Sequence, residues 1–127
     1  MKRKAILYRS SELYKTRHFY IDEQNANEIL ELFEQPKIGE KIEYILGRIL
    51  EQRHIYFELY EKIGEGISEM RIFPNGINAR IYCKEVKSKN GNFFIIAAKG
   101  LPKKKGEKID KSIKQIIDPI KNYDYDL

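Results

Sequence analysis

Two Asn-Gly dipeptides, Asn75-Gly76 and Asn90-Gly91, constrain what this chain can fold into more than any other feature. Asparagine and glycine tolerate the positive φ of a tight hairpin turn, and each dipeptide is flanked by runs rich in β-branched and aromatic residues. "ISEMRIF", "NARIYCKEV" and "NFFIIAAKG" therefore read as three consecutive antiparallel strands. The last run is apolar almost throughout, the composition of a strand covered on both faces.

Register follows from the first turn. With Asn75-Gly76 as a two-residue turn, Ile72 faces Ala79 and Met70 faces Ile81, an unbroken apolar face. Arg71 then faces Arg80, and Glu69 faces Tyr82, on the other side. A three-residue loop from Pro74 to Gly76 would instead pair Met70 with Arg80 and bury a charge among apolar groups. Facing like charges repel. Two opposed arginines are tolerated if both splay into solvent, if each pairs with a carboxylate such as Glu69 or Glu85, or if they share an anion. An Asn90-Gly91 turn sets Lys99 across from Tyr82, and "KGLPKKKGEK" brings Lys103, Lys104 and Lys105 to the same end of the sheet. Guanidinium forks, a phenol and lysines on one open face form a phosphate-binding surface.

Upstream, "KAILYR" and "RHFYI" are both strand-like, and the sequence does not decide between them. "NANEILELFEQ" places Ala26, Ile29, Leu30 and Phe33 at helical spacing, with Asn25 and Glu28 as a capping box. "PKIGEKIEYILGRILEQR" gathers Ile38, Ile42, Ile45, Leu46, Ile49 and Leu50 into one stripe behind Pro36. These two helices, joined by a short Gln-Pro turn, form a helical hairpin laid on the sheet. A last helix, "EKIDKSIKQIID", aligns Ile109, Ile113, Ile116 and Ile117 and stops near Pro119, and the tail from about residue 121 reads as loosely held.

A chain of 127 residues supports one domain, 1–127, with a single core. Its net charge of +5 is unevenly spread. Residues 1–17 carry six Lys/Arg and one Glu, residues 18–70 five Lys/Arg against twelve Asp/Glu, and residues 99–114 seven lysines against Glu107 and Asp110. Basic ends around an acidic middle point to a polyanion on one surface. The apolar piece "AILY" is too short for a signal-peptide core, and no window approaches a membrane span. A single cysteine, Cys83, on the predicted core face, fits a reducing, cytoplasmic setting.

Other chemistries lack their residues. Gly100 and Gly106 lack the glycine spacing and the Lys-Ser/Thr pair of a phosphate-binding loop. His18 and His54 have no second ligand at metal spacing, so neither a metal nor a cofactor is implied. Glu65 and Glu69 lack the cleft that a paired-carboxylate hydrolase needs.

With the order of elements in hand, "KIGEGISEMRI", "ARIYCKE" and "NFFIIAAKGLPKKKGEKIDKSIKQIIDPIKNY" resemble the RelE/HigB toxin superfamily, in particular its phage-derived HigB-like branch. The matching pieces are Gly66-Ile67-Ser68-Glu69-Met70-Arg71, Arg80-Ile81-Tyr82 and Gly100-Leu101-Pro102-Lys103-Lys104, within roughly residues 37–123. The resemblance implies an α+β fold of RelE/ParE type, an N-terminal helical hairpin packed on a small antiparallel sheet with a C-terminal helix. It implies a toxin of a type II toxin–antitoxin system, an mRNA interferase that cleaves messenger RNA on the ribosome by 2′-hydroxyl attack on the adjacent phosphate. Its partners would be a cognate antitoxin protein, the ribosome and mRNA, with no membrane. Carried over by position, Arg71 and Arg80 stabilise the phosphate, Tyr82 stacks on a base or joins the proton transfer, Lys103 and Lys104 hold the RNA backbone or assist proton transfer, and Lys99 and Lys105 hold the RNA. The alternatives are a non-catalytic, ParE-like gyrase inhibitor and a relative that only binds RNA. Leu101 replaces an aromatic usual in the family, and "FFIIAAK" lacks the histidine many members carry.

Overall fold

The computed structural model describes residues 2–73, 76, 78–102 and 111–127. In chain order the elements are β1 (Arg3–Ser10), β2 (Arg17–Asp22), α1 (Ala26–Glu34), α2 (Pro36–Glu51), β3 (Tyr60–Gly64), β4 (Ile67–Ile72), β5 (Ala79–Lys87), β6 (Phe93–Leu101), α3 (Lys111–Lys121) and β7 (Tyr125–Asp126). Among the described residues the strands form one seven-stranded sheet in the order β3-β4-β5-β6-β2-β1-β7. β2 lies parallel to β6 and β7 parallel to β1, while the remaining pairs are antiparallel.

The expected N-terminal helical hairpin on a small antiparallel sheet is therefore not what forms. Two strands precede the hairpin, the sheet is larger, and it is mixed. Both upstream candidates are strands, and they pair with each other. The physical reason lies in β6. Ile95 and Ala97 are buried with the residues of α1 and α2, and Ala98 is buried with those of α3. A strand covered on both faces is central and needs a neighbour on each side. β5 takes one side; β2, joined to β6 through α1, α2 and β3 to β5, takes the other.

The predicted stripe of α2 is buried as a unit, from Ile38 to Leu50, together with Ile29 and Leu32 of α1 and Met70, Ile72 and Ile81 of the sheet. Pro36 opens α2, where its missing N–H costs nothing. The carbonyls at the far end of α2 are met by Arg17, whose guanidinium donates to the oxygens of Leu50 (3.3 Å) and Arg53 (3.2 Å) and stacks on Tyr14. No capping box forms on α1. Asn25 Nδ2 instead donates to the Ala98 carbonyl at 2.7 Å, and Glu28 pairs with Lys99.

α3 covers part of the opposite face, burying Ile113, Ile117 and Ile120 against Ile67, Tyr82 and Ala98. It runs through Pro119 to Lys121, past the predicted stop. The part of the predicted helix before residue 111, with Ile109, lies outside the described residues. So does the Pro74-Asn75 portion of the first turn. The tail is held rather than loose: Asp124 accepts from the Arg3 amide at 2.7 Å, and the Tyr125 phenol donates to buried Asp22 at 2.6 Å.

Candidate functional site

β4 and β5 align as the first turn predicts: Ile72 opposite Ala79, Arg71 opposite Arg80, Met70 opposite Ile81 and Glu69 opposite Tyr82. Alternation then puts Glu69, Arg71, Arg80 and Tyr82 on the face away from α1 and α2. The register of β5 with β6 slips by one residue between Tyr82 and Cys83, a β-bulge, and beyond it Tyr82 faces Lys99 as expected.

The anion between the two arginines is internal. Glu69 Oε1 lies 3.0 Å from Arg71 Nε and 3.6 Å from Arg80 Nε. Arg71 Nη2 also meets Glu61 on β3 at 2.9 Å, and Arg80 Nη1 donates to the Ala79 carbonyl at 3.2 Å. Glu61 itself faces Glu69 across the β3–β4 ladder. The four charges thus alternate in sign across three strands, which relieves both like-charged pairs at once. β3 was not legible in the sequence, so Glu61 was missed. Glu69 was named only as one optional counter-charge, although its place two residues before Arg71, on the same face, was already visible.

The face is not open at this point. Glu69 and Arg80 are each 2 % exposed and Tyr82 is fully buried, with Tyr82 packed in the cluster under α3. Arg71 is half-buried. A Tyr82 ring in this setting cannot stack on a base, and Arg80 is not a solvated side chain. Lys99 leaves the cluster altogether: its Nζ pairs with Glu28 Oε1 of α1 at 2.9 Å. Lys103, Lys104 and Lys105 lie outside the described residues.

Glu85, the other proposed counter-charge, points to the opposite face, where its two oxygens accept the phenols of Tyr56 and Tyr60, both at 2.6 Å. Burial pushes the Tyr60 phenol well up, and burial does the same to the Cys83 thiol. Cys83 is a core group in this state, not a nucleophile. His18 is engaged with Ser10 Oγ through Nδ1 at 2.8 Å. Among the described residues no three His, Cys, Asp or Glu side chains converge as metal ligands would. No helix among them is long and apolar enough to cross a membrane.

What the arrangement offers chemically is a carboxylate held between two guanidiniums, with a phenol opposite it on the next strand. Comparison with family models, with curated proteins and with solved structures found no match to this chain.

Proposed function

We propose that this chain is a toxin of a toxin–antitoxin pair that cleaves messenger RNA without a metal. The observation that carries the reading is the convergence of Arg71 and Arg80 on Glu69 Oε1. Cleavage by an internal nucleophile needs a base for the 2′-hydroxyl, cations for the charge that builds on the phosphoryl oxygens, and an acid for the leaving 5′-oxygen. Glu69 supplies the base. Its carboxylate takes the 2′-hydroxyl proton as the 2′-oxygen bonds to phosphorus and the bond to the 5′-oxygen breaks, leaving a 2′,3′-cyclic phosphate. Arg71 and Arg80, released from Glu69 as it protonates, turn to the phosphoryl oxygens. Tyr82, directly opposite Glu69, or Lys104 returns a proton to the 5′-oxygen. The chemistry requires α3, whose Ile113, Ile117 and Ile120 pack on this face with Tyr82, to leave it.

A second reading has its own support. Arg80 is buried and Tyr82 is packed against α3, so neither side chain is open to a phosphate in this state, which supports a non-catalytic toxin that binds a protein target such as gyrase.

Toeprinting of transcripts on ribosomes separates the two. The wild-type chain should give new 3′ ends within translated messages, and Arg71→Ala, at a half-buried position, should reduce their rate of appearance by about a hundredfold. Growth arrest with intact messages would overturn the ribonuclease reading and support the protein-binding one.

A further inference from the structure

The sheet face opposite α1 and α2 is only partly covered by α3. Its other part carries an aromatic group on the adjacent parallel strands β2 and β6. His18 stacks on Phe94 with ring centres 5.6 Å apart and planes inclined by 28°, and Tyr20 meets Phe94 edge-on at 5.7 Å. All three rings are half-buried, and Leu7, paired with Tyr20 across β1 and β2, is 52 % exposed. Buried rings would be core. Rings that remain partly accessible on a strand face form a platform instead.

The surrounding charge says what the platform fits. The turns beside His18 and Phe94 are tied together, with the Phe93 amide donating to the Thr16 carbonyl at 2.7 Å and His18 Nε2 3.4 Å from Asn92 Oδ1. These turns carry the exposed Lys15 and Lys89; the first also holds Glu12, and the carboxylate of Glu51 that closes it is taken up by the Ser11 hydroxyl and the Glu12 and Leu13 amides. Accessible aromatic faces beside ammonium groups are the requirements of a single-stranded nucleic acid: bases stack on the rings and phosphates meet the cations.

We propose that His18, Tyr20 and Phe94 form a stacking platform for the bases of single-stranded RNA, with Lys15 and Lys89 holding its phosphates. This rests on the RNA reading above for the choice of nucleic acid, but it uses none of the residues of the Arg71–Glu69–Arg80 cluster.

The test is fluorescence anisotropy with a labelled single-stranded oligoadenylate of ten nucleotides, and with a duplex of the same length. The wild-type chain should bind the single strand in preference. Phe94→Leu and His18→Ala, each checked by thermal melting, should weaken binding by about tenfold. Lys15→Ala combined with Lys89→Ala should reduce the slope of log affinity against log salt by about 1.4. Ultraviolet crosslinking should attach the oligonucleotide to peptides containing Tyr20 or Phe94. Folded Phe94→Leu and His18→Ala proteins that bind as wild type would overturn the platform. So would crosslinks confined to other strands, or a wild-type chain that does not bind the oligonucleotide and self-associates through Leu7. Arg71→Ala separates the two proposals: it should lose cleavage and keep oligonucleotide binding. A wild-type chain that binds through the platform but never cleaves overturns the catalytic reading alone.

Discussion

Arg71 and Arg80 lie directly opposite each other on β4 and β5, and the Nε of each is turned toward the same oxygen of Glu69. A buried carboxylate of this kind is held by compensation, so removing its charge takes the counter-charge from two guanidiniums at once, one of them buried. Glu69→Gln should therefore destabilise the fold by about 3 kcal/mol in urea titration, because both guanidiniums lose the carboxylate beside their Nε. Arg71→Ala should cost only ~1 kcal/mol, because Arg71 and Glu61 are both substantially solvated. Replacing Glu69 and Arg80 together by leucine should cost less than Glu69→Gln alone. A Glu69→Gln protein as stable as wild type would show that the triad is not held in the way the distances describe.

Asp22, on β2, is the matching centre toward the other edge of the sheet. Fully buried, it accepts from Arg3 Nε (2.8 Å) and Nη2 (3.1 Å), from the Tyr125 phenol (2.6 Å) and from the Asn25 amide (3.0 Å). One carboxylate thus joins β1, β2, β7 and the start of α1. Tyr125→Phe should cost about 1 kcal/mol, the net value of one such hydrogen bond. It should also speed hydrogen exchange at the amide of Arg3, which is bonded to Asp124, more than at amides of β5. Equal protection of Arg3 in the two proteins would mean that the tail is held by its backbone pairing alone.

Local chemistry made the meander and the two helices readable. The hairpin turn fixes its own register, which is why Arg71 was placed opposite Arg80 correctly, and the stripe of α2 carries its own period. What could not be read was non-local. Nothing in "RHFYI" says that it will lie parallel to a strand more than seventy residues away, since that pairing is decided by what β6 lacks on its free side. β3 is short and follows an irregular stretch, so Glu61 was invisible as a partner of Arg71. The place of the Lys99 side chain has a similar source. Register put Lys99 across from Tyr82, but a flexible side chain at the end of β6 reaches Glu28 on α1 instead. Backbone register was predictable; the destination of a long cationic side chain was not.

Two glycines in α2 should respond oppositely to the same substitution. A Cβ on Gly39 would stand 2.1 Å from the Phe33 carbonyl oxygen, a backbone atom of α1, so the helices of the hairpin would have to separate. Gly39→Ala should destabilise by roughly 2 kcal/mol, as overpacking against a fixed neighbour does. Gly47 has nothing within 4 Å of the added carbon. In a helix interior Ala is favoured over Gly by about 0.8–1.0 kcal/mol, so Gly47→Ala should raise stability by that amount. Thermal melting of the two variants side by side checks both signs. A stabilised Gly39→Ala would contradict the close approach of α1 and α2.

Glu51, the last residue of α2, closes the turn between β1 and β2 by accepting from the Ser11 hydroxyl and from the amides of Glu12 (2.9 Å) and Leu13 (3.2 Å). The Ser11 hydrogen bond first, then the Glu12 amide, holds its carboxyl below the usual carboxylate range, against a smaller opposing effect of burial. A carboxyl whose pKa is lower in the folded chain than in the unfolded one binds fewer protons when folded. Its contribution to stability is therefore complete above the ordinary glutamate value of about 4.3, and is lost as pH falls through the lower folded value. Glu51→Gln should reduce stability by ~1 kcal/mol near neutral pH, the net value of the lost charge-assisted bonds, and the gap from wild type should close on acidification below pH ~4. Urea midpoints measured from pH 7 to pH 3 test this. A gap that stays constant over that range would mean that Glu51 holds the turn equally well with and without its charge.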